Sequence, residues 1–357
     1  MRVYRLQLIY IRNHSQFVME PGEGATILEG PNGAGKTNLV EAMYFASIGR
    51  SFRTSQSEDL IQFGQEEGTI LLDFSLRGVR HQIKVRLSRK ESPRFFVNDT
   101  RIRKKELVGT FRTVLFTPDE LRLVKGAPQD RRRFLDLEVA QVSPRYYEEL
   151  LRYNRAVMQR NAALRQAQIQ KTVPDIDMWD MQIASGAAYL TKKRRESLAR
   201  MNDILQKTES ALTGGKETLA IRYLLAGAEG EEAPDDSWYL AKLAAQRELD
   251  QRLCRTSVGP HRDDLLFEMN GIDLSRFGSQ GQQRTAILAM KLAEMEFIKN
   301  ETGEYPVLLL DDIGSELDKA RRDALFDFLQ QGRIQTFITA SMPGEEAGTV
   351  INIENTP

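Results

Sequence analysis

The sequence has very few of the residues that build disulfide frameworks or zinc sites. Its 357 residues include one cysteine, Cys254, and three histidines. A single cysteine excludes an intrachain disulfide and any zinc site built on several cysteines. Such low cysteine content is typical of a protein in a reducing cytosol, so we predict a cytoplasmic location.

Long hydrophobic runs are also missing. No apolar stretch approaches the roughly eighteen residues that a membrane-spanning helix needs. The first residues, MRVYRLQLIYIRN, lack the apolar core of a signal peptide. We therefore expect no membrane partner.

The chain has no excess charge of either sign, with 50 Lys+Arg against 50 Asp+Glu. This balance excludes a histone-like polycation and an acidic tail protein, and the 41% hydrophobic content excludes a disordered chain. The charges are nevertheless segregated along the chain. Residues 77–133 contain 17 basic and 6 acidic residues, whereas residues 301–357 contain 4 basic and 11 acidic ones.

The basic stretch contains apparent strands with cations on one face. In HQIKVRLS, apolar Ile83, Val85 and Leu87 alternate with Lys84 and Arg86. A sheet with one cationic face can bind a phosphate backbone, although a merely solvated face is the alternative. The candidate DNA contacts are Lys84, Arg86, Lys104, Lys105, Arg131, Arg132 and Arg133. For the three arginines at 131–133, ion pairs on a helix surface are an equally good interpretation.

Changes in the pattern of apolar and polar residues divide the chain into three zones. Residues 1–128 are predicted to form strands with one or two helices, including a short amphipathic helix over TNLVEAMYFASIG. Residues 129–254 are dominated by two long helical patterns, and residues 255–357 return to alternating strands and helices. The simplest organisation is an α/β body, 1–128 with 255–357, that is split by a helical insertion at 129–254.

The strongest motif is a phosphate-binding loop. Residues 30–37 read GPNGAGKT, a full match to G-x-x-x-x-G-K-[ST], between the strand-like ATILE and the helical NLVEAMYFA. In such a loop the glycines let backbone N–H groups surround a phosphate, the lysine contacts the β- and γ-phosphates, and the hydroxyl binds Mg²⁺. The residues assigned to ATP are Gly30, Pro31, Asn32, Gly33, Ala34, Gly35, Lys36 and Thr37.

A second motif supplies carboxylates. In VLLLDD, residues 307–312, four apolar residues predict a strand buried on both faces, with two aspartates at its carboxyl end. Asp311 is the expected ligand of Mg²⁺, and Asp312 is the candidate catalytic base that orients the attacking water.

Two further segments resemble those of ABC-type ATPases. SQGQQR resembles the signature motif of that family and SELD resembles its D-loop, although Gln280 replaces the first signature glycine. The resemblance implies that the signature faces ATP bound by the opposite subunit of a dimer. The residues concerned are Ser279, Gln280, Gly281 and Gln282 in the signature, and Ser315 and Asp318 in the D-loop.

The spacing and two longer segments narrow the family. Lys36 and Asp311 are 275 residues apart, more than a transporter cassette allows, and the surplus matches the helical zone. This plan resembles the split ATPase head of SMC-like proteins. PDELRLVKGAPQDRRRFLD, SVGPHRDDL and LLDDIGSELDKARRDAL resemble characteristic segments of the RecF proteins. The chain is identified as a member of that bacterial family.

The resemblance implies an ATP-dependent DNA-binding protein of recombinational repair and replication. It implies binding to duplex and single-stranded or gapped DNA, ATP-dependent homodimerisation and weak ATPase activity. It also implies action with RecR and RecO in loading RecA onto strands coated with SSB, and a role in SOS induction.

Two departures from the ABC pattern indicate slow hydrolysis. VLFTPDE has no glutamine at the place of the usual glutamine loop, and Thr339 or Ser341 stands where a histidine usually follows the next strand. Two other functions remain open. One is a transporter-type cassette coupled to a membrane protein, and the other is a scaffold that binds nucleotide without turnover.

Overall fold

A computed structural model of the chain describes residues 1–213, 215, 217–227, 234–312, 318–340 and 348–353. The chain forms two compact units, Met1–Leu121 with Arg284–Pro357, and Arg122–Gln283. The observed boundaries lie between residues 121 and 122 and between residues 283 and 284, whereas the sequence predicts them between 128 and 129 and between 254 and 255. The second difference is the larger because strand Asp264–Met269 pairs with strand Leu219–Leu224 and so joins the insertion.

The described elements alternate as expected for an α/β body with an insertion. The strands are β1 (Arg2–Ile11), β2 (His14–Met19), β3 (Ala25–Glu29), β4 (Glu67–Leu76), β5 (Val79–Ser88), β6 (Arg94–Val97), β7 (Thr100–Ile102), β8 (Thr113–Phe116), β9 (Leu219–Leu224), β10 (Asp264–Met269), β11 (Ile272–Asp273), β12 (Val307–Leu310), β13 (Thr336–Ala340) and β14 (Thr349–Asn352). The helices are α1 (Lys36–Ile48), α2 (Lys104–Leu107), α3 (Leu121–Lys125), α4 (Pro128–Val142), α5 (Pro144–Gln170), α6 (Asp177–Thr213), α7 (Asp236–Ala245), α8 (Arg247–Leu253), α9 (Leu274–Phe277), α10 (Gln280–Thr302) and α11 (Lys319–Gly332). Single 3₁₀ turns lie at Ser57–Leu60 and Pro118–Glu120.

The first unit contains two sheets with α1 between them. One is a six-stranded antiparallel sheet in the order β2-β1-β4-β5-β6-β7, and the other is a five-stranded parallel sheet in the order β14-β3-β13-β12-β8. Helix α1 contacts strands of both sheets. Every residue from Leu39 to Ile48 is therefore buried. The helix forms where the sequence predicts it, but the prediction that it is amphipathic is wrong, because a helix covered on both sides needs no polar face.

In the parallel sheet, the strand ends that carry the candidate functional residues lie at one edge. Strand β12 lies between β13 and β8, and its four residues are at most 1% exposed, which confirms the predicted buried strand. The carboxyl ends of β3, β12 and β13 point to the same edge because the strands are parallel. Loops at this edge of an open α/β sheet are the usual place for a ligand.

The second unit contains the predicted helices and a small sheet. Helices α5 and α6 pack against each other, and β11-β10-β9 form an antiparallel sheet. Pro144 at the first position of α5, with Ser143 as its N-cap, separates α4 from α5 where the sequence predicts one continuous helical pattern. Asn270 and Gly271, with φ of 53° and 76°, form the predicted hairpin turn.

Candidate functional site

The segment GPNGAGKT forms a loop between β3 and α1. Gly35 is the N-cap of α1 with a φ of 102°, and a Cβ at this residue would lie 2.4 Å from His14 Nε2. Only glycine fits this close approach at a left-handed φ. Lys36 Nζ donates to the carbonyl oxygens of Gly30 at 2.6 Å and Pro31 at 3.0 Å. The lysine is thus held inside the loop, at the positive end of a helix.

Two residues that the sequence did not single out brace this loop from outside. Asn13 Nδ2 donates to the carbonyl oxygens of Gly33 at 3.2 Å and Ala34 at 3.0 Å. His14 Nε2 donates to Gly35 O at 3.3 Å, and burial lowers the pKa of His14. In the sequence they stand out only as a polar pair, and the structure places them where the turn after β1 ends and β2 begins.

A buried carboxylate fixes the surroundings of α1. Glu41 is fully buried and accepts two hydrogen bonds from Arg12, at 2.9 and 2.8 Å, and one from Ser51. Arg53 also reaches Glu41, at 3.4 Å, and donates to Asn38 in the first turn of α1 at 2.8 Å. Two arginines are therefore anchored beside the phosphate loop. This cluster leaves no signal in the sequence, because a glutamate inside an apparently amphipathic helix is typical of a surface residue.

Asp311 and Thr37 lie together although 274 positions separate them. Thr37 Oγ1 donates to Asp311 Oδ1 at 2.8 Å, and Thr339 Oγ1 donates to the same oxygen at 3.0 Å. Burial raises the pKa of the Asp311 carboxyl, and the two hydroxyl hydrogen bonds act in the opposite direction. Asp312 is exposed, with a φ of 53°, and its backbone N–H donates to Thr339 Oγ1 at 2.8 Å. Thr339 thus connects both aspartates.

Hydroxyl and carboxylate oxygens are the ligand types that Mg²⁺ prefers. Thr37 and Asp311 therefore fit the predicted metal. Among the described residues, no group of three or more His, Cys, Asp or Glu side chains forms a metal site by itself. Phosphate oxygens and water would have to complete the coordination, as is usual for a nucleotide-bound Mg²⁺.

The signature residues lie in the second unit and begin α10. Ser279 Oγ accepts from Gln282 N at 3.2 Å, while Gln282 Oε1 accepts from Ser279 N at 3.0 Å. This reciprocal pair is a capping box, so Ser279 caps the N-terminus of α10. Gln280 and Gly281 follow in the first turn of α10.

Of the two D-loop residues, only Asp318 lies in the part of the chain that the structure describes. Asp318 is the N-cap of α11 and accepts from Arg321 N at 3.0 Å. Ser315 lies outside the described residues, as does Ser341, the second candidate for the place of the missing histidine.

The cationic strand face has the predicted alternation. Ile83, Val85 and Leu87 are at most 1% exposed, whereas Lys84 and Arg86 lie on the other face of β5. Arg86 lies over the ring of Phe96 in the neighbouring strand, 5.7 Å from its centroid. Lys104 and Lys105 are in the short helix α2 at the end of the same sheet.

The three consecutive arginines of α4 have different surroundings. Arg131 makes a bidentate pair with Asp264, at 2.7 and 2.8 Å, and Arg132 donates to the carbonyl oxygen of Asp263 at 2.6 Å. Arg133 is exposed. These contacts hold α4 to the start of β10 and to the residue before it, so the ion-pair interpretation fits Arg131, and Arg132 also has a structural partner. Arg133 is the better DNA candidate of the three.

Within the described ranges, none of the helices has the length and apolar character required to cross a bilayer.

Residues 2–348 match the family model described as RecF/RecN/SMC N terminal domain. The DNA replication and repair protein RecF of Clostridioides difficile is 37% identical over 365 residues, covering 99% of this chain and 97% of that protein. The protein of the same name from Symbiobacterium thermophilum is 40% identical over 341 residues, covering 94% and 90%.

Solved structures agree with the sequence relatives. A structure described as the recombination mediator protein RecF-ATPrS in the RecFOR pathway has a TM-score of 0.92 at 31% identity, covering 99% of this chain and 96% of that chain. An Smc head domain from Pyrococcus furiosus, bound to the C-terminal domain of ScpA, has a TM-score of 0.54 at 15% identity and covers 96% and 90%. The latter shows the ABC-type ATPase head fold alone. Together these likenesses confirm the predicted family and fold class, and the chain belongs to the bacterial RecF family.

Proposed function

We propose that the chain is an ATP-dependent DNA-binding protein of recombinational repair and replication. ATP closes a homodimer, the closed dimer holds DNA, and slow hydrolysis releases it. The observation that carries the proposal is the 2.8 Å hydrogen bond between Thr37 and Asp311, which brings the two nucleotide motifs to one edge of the parallel sheet. Relatives named for DNA replication and repair, and a solved RecF described with ATP, support it.

The residues of the loop have distinct roles in this proposal. Its backbone N–H groups and Lys36 bind the phosphates of ATP, and Thr37 and Asp311 bind Mg²⁺. A bound Mg²⁺ supplies positive charge to the phosphate oxygens. Asp312, exposed and next to Asp311, orients the attacking water.

The proposed dimer is motivated by the presence of both a phosphate loop and a signature segment on one chain, because one molecule cannot readily satisfy its own signature. The phosphate loop belongs to the first unit and Ser279–Gln282 to the second. In the proposal, the capped start of α10 and the D-loop residues Ser315 and Asp318 face the ATP of the partner subunit. Asp312→Asn should slow hydrolysis and accumulate the dimer when ATP and Mg²⁺ are added, as measured by light scattering. A variant that stays monomeric under these conditions would refute the clamp.

Turnover separates the clamp from a scaffold that only binds nucleotide. Lys36→Met removes the phosphate-binding ammonium, so DNA-stimulated phosphate release should fall at least ten-fold below that of the wild type. Equal phosphate release from both proteins would mean that the chain is a scaffold that binds nucleotide without turnover. Release that does not respond to DNA would favour the transporter-type cassette, for which the sequence lacks the glutamine loop.

The cationic face of the antiparallel sheet is the proposed DNA surface. Reversing the charges of Lys84, Arg86, Lys104 and Lys105 should weaken binding to duplex and gapped DNA and reduce its salt dependence, since each lost phosphate contact lowers the slope by about 0.9. An unchanged slope would move the DNA surface elsewhere, with Arg133 as the next candidate.

The partners proposed for this activity follow from family membership. They are RecR and RecO, acting in the loading of RecA onto strands coated with SSB, in the cytoplasm and with a role in SOS induction. The RecFOR pathway named for the solved relatives supports this part of the proposal.

A further inference from the structure

A cavity of about 470 Å³ lies at the end of α1 away from the phosphate loop, beside the hairpin of β6 and β7. Five cationic side chains line it, and no acidic side chain is among its lining residues. They are Arg50, Arg94, Arg101, Arg103 and Lys104. Its volume is within the range of small-ligand sites.

A second cavity of the same unit has a different composition. Its volume is about 680 Å³ and its wall carries Arg2, Arg5 and Arg80. That wall also contains Glu20 and Asp73, so two acidic groups offset most of the charge of its three arginines. The cavity at the end of α1 has no such balance within its wall. Like charges concentrated around a space favour an anion inside it.

Acidic residues do occur near the first cavity, but outside its wall. Glu91 pairs with Arg94, and Glu106 pairs with Arg103 at 2.6 Å. Both glutamates are at least 42% exposed in their side chains. Exposed pairs of this kind are weak, so they compete poorly with a more highly charged anion.

The remaining lining residues indicate which anion fits. Hydroxyl groups, among them Ser55 and Ser92, supply neutral donors, and Phe45 and Phe95 supply an apolar wall. Guanidinium groups bind phosphate oxygens in a bidentate manner. Cations, hydroxyls and aromatic rings together suit a phosphoryl group that is attached to a sugar and base.

The cavity also continues the cationic face of the sheet. Across the strands, Arg86 pairs with Arg94, Lys84 pairs with Phe96, and Phe96 pairs with Arg101. A row of cations therefore leads from β5 to the cavity wall. A DNA strand lying on this face would bring its phosphates to the mouth of the cavity.

We propose that this cavity binds a phosphoryl group of DNA, as a site separate from the ATP loop. The proposal rests on the DNA-binding function proposed above. The phosphoryl group has two sources, a terminal phosphate monoester at a strand end or a diester within the backbone. A terminal monoester carries the larger charge, about −1.5 to −2 at neutral pH.

The test uses two arginines of the cavity and a matched pair elsewhere. Arg94→Ala/Arg101→Ala removes two lining cations, one of which has an acidic partner. Arg152→Ala/Arg155→Ala removes two exposed arginines of α5, one of which pairs with Glu149 in the same i,i+3 relation. The two double variants lose the same charge, so a general electrostatic effect would appear in both.

Binding is measured by fluorescence anisotropy across a range of salt concentrations, with the full-length protein. The probes are a blunt duplex with 5′-phosphates and the same duplex with 5′-hydroxyls, with covalently closed circular DNA as a competitor. The cavity variant should bind on the order of ten-fold more weakly with a salt slope reduced by about 2, and the control variant should match the wild type. A loss confined to the phosphorylated duplex identifies the terminal phosphate, whereas an equal loss on all three DNAs identifies a backbone diester.

One result would overturn the site. If the cavity variant binds all three DNAs as tightly as the wild type while the Lys84/Arg86 reversal weakens binding, the cavity is not a DNA site but the proposed function stands. If the wild-type protein binds none of the DNAs, both the cavity site and the proposed DNA-binding function are refuted. Hydrogen exchange of wild-type residues 92–104 with the phosphorylated duplex checks the site without a variant, since a bound phosphoryl group should slow exchange there.

Discussion

Among single residues, Thr339 has the most specific placement. Its hydroxyl donates to the Asp311 carboxylate and accepts from the backbone N–H of Asp312, so it holds both residues that follow β12. In cassette ATPases a histidine usually follows this strand. The sequence left Thr339 and Ser341 as alternatives for that place, and the described geometry brings Thr339 to the aspartates.

Thr339→Val should lower the rate of ATP turnover by about ten-fold, or ~1.4 kcal/mol, because Asp311 and Asp312 lose their common hydrogen-bond partner. Steady-state phosphate release measures this effect. Thr336→Val on the same strand is the matched control, since the Thr336 hydroxyl donates only to Ile334 O, at 3.3 Å. Equal rates for Thr339→Val and wild type would contradict an ordering role for the hydroxyl.

His261 of the SVGPHRDDL segment is a residue of the second unit's interior. Its Nδ1 accepts from the Tyr153 hydroxyl, and its Nε2 donates to Thr256 O at 3.1 Å, so a neutral imidazole satisfies both partners. Burial lowers the pKa of His261 to about 4, and the nearby Arg132 and Arg194 act in the same direction. This arrangement supports a structural role.

Stability should therefore fall as the pH falls from about 6.5 to about 4. In that interval the unfolded chain protonates His261 and the folded chain does not, so protons favour unfolding by an amount on the order of 3 kcal/mol. His261→Gln, which keeps a donor for Thr256 O and does not titrate, should lose part of this pH dependence. Urea unfolding of both proteins at several pH values measures it, and parallel curves would show that His261 does not contribute.

Among the elements, α1 and α4 show how packing changes the meaning of a sequence. Helix α1 looks amphipathic in the sequence, but both sheets of the first unit cover it. The basic run in α4 reads as one cationic surface, but only Arg133 is exposed, because Arg131 and Arg132 are bonded to the residues that precede and begin β10. The partner of a charged side chain decides its role, and the partner is more than 100 residues away in sequence.

Arg131→Ala should lower the stability of the protein by about 2 kcal/mol, because it leaves Asp264 without its bidentate partner in a partly buried site. Arg133→Ala, two residues away and exposed, should change stability by less than about 0.5 kcal/mol. Thermal unfolding compares the two variants directly. Similar melting temperatures for both would indicate that the Arg131 pair is as weak as a surface pair.

For the whole molecule, the neutral total charge conceals a division of charge along the fold. The basic stretch, residues 77–133, supplies the cationic face of β5 and part of the wall of the cavity beside α1, while the acidic stretch in sequence, residues 301–357, includes Asp311. In the proposed clamp, ATP brings two basic faces together in one dimer. DNA affinity is then controlled by assembly as well as by composition.

Mixing two inactive variants tests this assembly. Lys36→Met lacks a working ATP loop, and Ser279→Arg blocks the signature, so each homodimer should be inactive. Because a two-fold dimer has two equivalent composite sites, an equal mixture should recover about a quarter of the wild-type ATPase rate through one intact site per heterodimer. Phosphate release from the mixture measures the recovery, and no recovery would place the signature and the loop in the same subunit's site or outside the reaction.

The sequence by itself determined the features that are local. The loop at residues 30–37, the buried strand β12, the alternation of β5 and the turn at Asn270–Gly271 each depend on neighbours within a few residues, so periodicity and glycine placement predict them. Only the tertiary structure decided which distant side chains meet. It joins Arg131 to Asp264 across 133 positions and surrounds Glu41 with Arg12 and Arg53. Such contacts arise from the packing of whole elements, and no local pattern records them.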